Sequence, residues 1–262
     1  MRIFGSMLKI FVQQQIIHRE FWFIFILNGV LPIVVPLLAW VSLSKSIENF
    51  EVNGWSIEQF FTYYFVNFFI FTLSFTSIHE QMSELVRTGQ LNFWLLRPVS
   101  FFELALSYTA SRVMVMLGFL GVMSVAFLLF GVSIFDSYTQ LLIACLVIPL
   151  GVVLLVFMTV CIGNLSFWLI ESSGAFAAIL LFLQFFGGLI LPVTLFPEWI
   201  RPLSNVLPLQ FAFGLPSETI VNGAIGNVPL IILGQCAWIH IIFLVTRALW
   251  KRGLNYYDAV GA

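Results

Sequence analysis

The chain is short of charge. Only 9% of its 262 residues are Asp, Glu, Lys or Arg, against about 25% in an ordinary soluble domain. Lysine is scarcest. Lys9, Lys45 and Lys251 are the full set, and none stands in the G-x-x-x-x-G-K-[ST] loop that cradles nucleotide phosphates. Hydrolysis of ATP through such a loop is therefore excluded for this polypeptide. A formal net charge of -1 removes the basic excess that phosphate backbones require, so no nucleic-acid partner is expected. The three cysteines, Cys145, Cys161 and Cys236, sit apart in apolar runs with no C-x-x-C spacing. That argues against a disulfide framework and a thiolate metal site, and leaves them as small packing residues. Histidine is equally sparse. His18 and His79 lie near predicted span ends, His240 lies inside a span and reads as a packing residue, and none has a second ligand at metal spacing. Nor is there a catalytic triad or a pair of carboxylates within the apolar segments. No enzyme, no metal and no cofactor is expected on this chain.

What is abundant is apolar surface. Hydrophobic residues make up 61% of the chain, including 30 Phe, well above the roughly 45–50% of a globular domain. Such a chain needs lipid as solvent. A bilayer core of about 30 Å takes roughly 20 apolar residues in a helix, and six segments qualify: about 21–43, 60–78, 104–135, 141–165, 176–196 and 228–246. Glu171-Ser172-Ser173-Gly174 marks the turn between the fourth and fifth. The fold class is all-α, one transmembrane domain over residues 1–262. Residues 1–20 are polar and amphipathic, and the apolar run that follows is too long for a cleavable signal core, so an interfacial helix is expected there.

Orientation follows from the basic residues of the loops. Nine (Arg2, Lys9, Arg19, Arg87, Arg97, Arg112, Arg247, Lys251 and Arg252) fall on one side, and Lys45 and Arg201 on the other. Both termini are expected in the cytoplasm. No predicted span carries a charge near its centre. Ion-coupled carriers usually place an ionisable group there, because something must bind the coupling ion. The energy source is therefore sought elsewhere.

Two connections are not plain loops. In about 80–97, Met82, Leu85 and Val86 share one face of a short helix, with Glu80, Glu84 and Arg87 on the others. Gly89 can end that helix in a left-handed cap, and Pro98 forces Arg97 away from helical geometry. This element is either an interfacial helix or a docking surface; Glu84 and Arg87 are also at the spacing of a local ion pair. On the outer side, 196–228 is rich in proline and apolar residues, from Pro197 to Pro216. It reads either as short helices that re-enter the membrane and cap a cavity or as a shallow interfacial helix. Before it, Gly187-Gly188 and Pro192 suit a gating bend or a tight helix crossing.

The run Arg87-Thr88-Gly89-Gln90-Leu91-Asn92-Phe93-Trp94-Leu95-Leu96-Arg97-Pro98-Val99-Ser100 resembles the R-x-G-E-L-D-x-x-L-L-R-P-V-S-like segment between the second and third spans of bacterial ABC-2-type permeases. Gln90 and Asn92 stand where that family often has acids. The likeness extends along the chain: an amphipathic amino-terminal helix, six spans, a cytoplasmic coupling helix, and re-entrant helices between the fifth and sixth spans. It implies a type V ABC exporter-like fold and a role as the membrane subunit of an exporter in a bacterial plasma (inner) membrane. Two permeases, identical or paralogous, would pair with two separate ABC ATPase subunits that hold the ATP and Mg. Glu80, Met82, Glu84, Leu85, Arg87, Gly89 and Arg97 would form the ATPase-docking surface. The substrate path would run between the permeases along the second and fifth spans, with Asn67, Phe68, Thr72, Phe75, Gln184 and Phe185 as candidate lining residues. The uncharged interior favours an amphiphilic or hydrophobic small molecule, drug- or lipid-like. An ion-coupled secondary carrier and a membrane assembly scaffold are the competing readings.

Overall fold

The structure, a computed structural model, describes residues 5, 9–13, 31–46, 51–74, 78–96, 107–118, 120–121, 135, 137–169 and 173–257. Among them there is no strand, only an isolated bridge between Val52 and Trp55. That bridge closes a tight turn in which Asn53 and Gly54 both take positive φ, 52° and 82°, the pairing an Asn-Gly turn favours. The Ser56 hydroxyl then accepts from the Gln59 N–H at 3.3 Å, and the Gln59 Oε1 accepts from the Ser56 N–H at 2.9 Å. This reciprocal box satisfies two amide groups that the helix leaves open, and it starts the helix three residues before the first residue expected of the second span.

Helices are numbered in chain order. α1 spans Leu31–Ser44, α2 Ile57–Ser74, α3 Ile78–Arg87 and α4 Leu91–Leu95. α5 is the helical stretch 107–118. α6 spans Tyr138–Gly163 and continues as a 3-10 turn, Asn164–Phe167. α7 spans Ser173–Phe186, α8 Arg201–Val206, α9 Leu215–Asn222 and α10 Val228–Tyr256, with a π segment at Gln210–Gly214 between α8 and α9. Among the described residues, three stretches are long and apolar enough, by length and composition, to cross a membrane: Ile57–Arg87, Tyr138–Phe167 and Ile225–Tyr256. The amino-terminal helix lies largely outside the described residues. Its residues 9–13 are helical, and Phe11 meets Tyr108 of α5 edge to face at 5.4 Å.

α6 is the axis of the protein. Its 26 residues are apolar on every side, as expected of a helix enclosed by protein and lipid together. It packs against α2, α3, α9 and α10. Glycines set two close approaches to α6. A Cβ on Gly151 would lie 2.9 Å from the Ala212 carbonyl oxygen of the π segment, and a Cβ on Gly163 would lie 3.1 Å from the His79 Cα of α3. Polar side chains supply further cross-links. Gln235 Nε2 of α10 donates to the carbonyls of Val147 and Phe211 at 3.0 and 2.9 Å, and Asn164 Nδ2 donates to Thr246 O at 3.1 Å. These residues tie helices together in the manner of polar side chains in lipid.

The connection 196–228 is folded back onto the bundle. α9 begins with a proline in its first turn and ends at Gly223, φ 61°, where Gly223 N–H reaches Ile220 O and Ala224 N–H reaches Thr219 O, each at 3.1 Å. This left-handed stop leaves Pro216, Ser217, Thr219, Ile220 and Val221 buried. Gln140 of α6 donates to the Val221 carbonyl at 3.2 Å.

Candidate functional site

Among the described residues, two places concentrate polar or charged side chains: the α3–α4 element on one end of the bundle and a polar cluster where α2 meets the connection 196–228. The first forms as the sequence pattern predicts. α3 ends at Arg87, and Gly89 takes φ 72°, so the chain turns and starts α4. The apolar face of α3 is already occupied. Met82 is 1% exposed and packs with Leu91 and Phe167; Leu85, Val86, Trp250, Leu254 and Tyr257 close the cluster. The docking candidates thus divide. Met82 faces inward and Leu85 is half-buried, because the ends of α6 and α10 already cover that face. Glu80, Glu84 and Arg87 are exposed. Beside them α4 exposes Phe93 (68%) and Leu96 (85%), two residues of the motif that were not singled out. Arg97 lies outside the described residues. Arg87 Nη2 donates to Glu84 Oε2 at 2.6 Å, with both side chains more than half exposed. Solvent screens a pair so exposed, so its place on the rim matters more than its strength.

The second place is buried. Tyr63 OH donates to the Gly188 carbonyl at 2.5 Å, and Asn67 Nδ2 reaches the same oxygen at 3.4 Å. Ser217 Oγ donates to Asn67 Oδ1 at 2.9 Å. Tyr64 OH donates to Ile190 O at 2.8 Å and accepts from Trp40 Nε1 at 3.1 Å. The acceptors are carbonyls just past the end of α7, where the helix has unwound at Gly188, φ 85°. Only glycine fits there: its φ is left-handed, and a Cβ would lie 2.8 Å from the Tyr63 hydroxyl. Gly214 N–H donates to Gly187 O at 3.0 Å, so the unwound strand of chain is held from both sides. α1, α2, the end of α7 and α9 are thereby joined by one set of hydrogen bonds. Glu218 stands next to Ser217, and burial pushes its carboxyl up to about 7, against a smaller opposing effect of the polar groups of Thr194 and Val193.

The chain's residues 30–261 match the model of a family described as ABC-2 family transporter protein. It belongs to that family. No match is found among curated proteins or among solved structures. The protein is therefore an ABC-2-type permease, a membrane component of an ABC transporter, and membership of the family implies association with an ABC ATPase. The resemblance carried by the Arg87–Ser100 run and the family match agree.

In the permease, the candidate path residues separate. Asn67 and Thr72 are fully buried; Asn67 is engaged by Ser217 and Gly188, and Thr72 Oγ1 has no hydrogen-bond partner. Phe68 is half-buried against the main core. On α7, Gln184 is half-buried and Phe185 is 39% exposed, its ring stacked on Phe196 at 5.1 Å. Phe75 lies outside the described residues. Arg112, counted as a loop charge in the orientation argument, sits instead inside α5 at 1% exposure. His240, expected as a packing residue, is exposed on α10. Tyr63, Tyr64, Ser217 and Glu218 were not singled out as site residues. The Tyr63-Tyr64 pair one turn ahead of Asn67 was the available signal, and it was hidden among the aromatics of an aromatic-rich span.

Proposed function

We propose that this permease is the membrane half of an exporter that moves an amphiphilic or hydrophobic small molecule out of the cytoplasm, driven by a separate ATPase that docks on α3 and α4. The observation that carries the reading is the two-sidedness of α3. Its apolar face is seated on the ends of α6 and α10, and its charged edge, Glu80, Glu84 and Arg87, stands free beside the apolar knobs Phe93 and Leu96. An element that touches the ends of two spans on one side and a partner on the other can pass motion between them. The apolar anchor of docking is therefore assigned to Phe93 and Leu96, with the charges setting register and partner choice. Gly89, as the left-handed hinge between the helices, fixes the angle at which the two sides of the surface meet.

At the opposite end, the Tyr63, Asn67 and Ser217 bonds are the latch of the outer mouth. Opening a path between two permeases along α2 and α7 requires the unwound segment after α7 to move relative to α2, and those bonds are what it must break. The six-span layout, both termini in the cytoplasm, and pairing with a second copy or paralogue belong to the same proposal. The test is coexpression with the cognate ATPase and purification in a mild detergent or nanodisc. Exchanging Glu84→Arg with Arg87→Glu keeps the local ion pair but inverts the rim. Loss of the ATPase from that variant supports docking here; retention with unchanged activity moves docking elsewhere.

A further inference from the structure

We infer that the permease holds one acyl chain of a membrane lipid in a lateral slot between α2, α5 and α6, with the ester end of the lipid at Thr109. The slot is a cavity of about 540 Å³. Its floor follows one row of α6 from Leu141 to Phe157 at four-residue spacing, so it runs 16 residues, or ~24 Å at 1.5 Å per residue. That is most of a ~30 Å hydrocarbon core. The void is thus elongated along the helix rather than rounded, a shape that suits an extended alkyl chain.

The walls are rows of the same kind. Phe69 and Leu73 rise from α2, and Thr109, Val113 and Leu117 from α5. Three rows at four-residue spacing enclose a straight channel, and the small Cys145 and Val153 on the floor keep it hollow. At ~30 Å³ for each methylene, taken as about one water's share of the liquid, the volume suits a chain of roughly sixteen to eighteen carbons. Hydrocarbon is the occupant such a lining selects. Water finds no polar partners along it, and an empty channel in lipid forfeits dispersion contacts on every wall.

Thr109 brings the one hydroxyl among the described lining residues, and it decides the direction. Thr109 is 7% exposed, and its hydroxyl has no hydrogen-bond partner in the protein. It lies at the Phe157 end, toward the end of α6 on which α3 packs. A buried hydroxyl without a partner is costly, and the ester carbonyl of a lipid whose chain fills the slot supplies the missing acceptor. Because the slot opens between α2, α5 and α6, it lies apart from the α2–α7 face proposed for the path. A resident lipid there would brace α5 against α6 rather than be transported. The inference needs only that these helices lie in a membrane, and it stands whether or not the exporter reading does.

The test uses the permease with its ATPase in nanodiscs of phosphatidylethanolamine and phosphatidylglycerol. These are doped with a phosphatidylcholine that carries a diazirine in a palmitoyl chain. Photolysis is expected to label peptides of α6 around Cys145–Val153 and of α5 around Val113 well above the lipid-facing Leu230 and Leu233 of α10. Native mass spectrometry after delipidation is expected to retain one phospholipid per permease. Cys145→Phe and Val153→Phe fill the slot from positions outside the packed core, and each should cut labelling and retention several-fold. Thr109→Val should cut retention about five-fold, the loss of one hydrogen bond, while the melting temperature and ATPase content stay near those of the parent. Labelling proportional to lipid exposure on every helix, unchanged by either phenylalanine, would overturn the inference. Release of the bound lipid on addition of ATP and Mg would overturn it too, because the occupant would then be cargo.

Discussion

The Ser217 hydroxyl donates to the Asn67 side-chain oxygen at 2.9 Å, joining positions 150 residues apart. Through Asn67 and Tyr63 the same set of bonds reaches the Gly188 carbonyl. α2 and the connection 196–228 are thus held by polar groups inside an otherwise apolar cluster. Ser217→Ala is expected to lower stability by about 0.6 kcal/mol, the usual worth of a hydrogen bond between membrane helices. Asn67→Leu should cost more, ~1–3 kcal/mol, because it leaves a buried serine unpaired. Thermal unfolding of the two variants in nanodiscs checks both the sign and the order.

Gly188→Ala is a sharper probe of the latch. A left-handed backbone and a Cβ placed 2.8 Å from the Tyr63 hydroxyl act together, and a strained residue of this kind costs on the order of 1–3 kcal/mol. The variant should melt earlier than the parent, and the double variant with Tyr63→Phe should recover part of the loss. An alanine tolerated without change would mean that Gly188 does not hold the conformation described here.

Glu218 gives the latch a pH dependence. Burial holds its carboxyl up to about 7 in the folded protein, against 4.5 as its ordinary value. Between those values the folded protein is protonated there and the unfolded chain is not. The folded state therefore binds more protons, and stability falls as pH rises from 4.5 through 7. Melting temperature should be higher at pH 5 than at pH 8, and Glu218→Gln should flatten that part of the profile. A profile unchanged by the substitution would place the titration on another group.

Gly163 tests transmission from α3 to α6. A Cβ there would sit 3.1 Å from the His79 Cα, so Gly163→Val must push α3 off the end of α6. The expected outcome is a complex that still contains the ATPase but whose transport no longer follows ATP hydrolysis. Measuring both in proteoliposomes separates this from a failure to assemble.

How much of this was legible in the sequence depends on the range of the interaction. The Gly89 turn and the amphipathic α3 are local, set by one glycine and by helical periodicity, and the structure places them as the pattern predicts. The start of α2 was also legible, since Ser56 and Gln59 stand at capping-box spacing; hydropathy alone set the boundary too late. The occupied face of Met82 was not legible, because periodicity shows that a face is apolar and not what covers it. Phe167 and Leu254, which help to cover it, come from the far ends of α6 and α10. From sequence Asn67 reads either as a polar residue lining a path or as one that hydrogen-bonds between helices. Its engagement with Ser217 depends on how the connection 196–228 folds back, which no local pattern encodes.

The central claim is that an ATPase grips the exposed rim of α3 and α4. The decisive measurement is copurification of the coexpressed ATPase with three permeases: the parent, the Glu84→Arg/Arg87→Glu exchange, and Phe93→Ser/Leu96→Ser. The account predicts stoichiometric ATPase with the parent and loss with both variants, at unchanged permease yield and melting temperature. Full retention of the ATPase by both variants would contradict it.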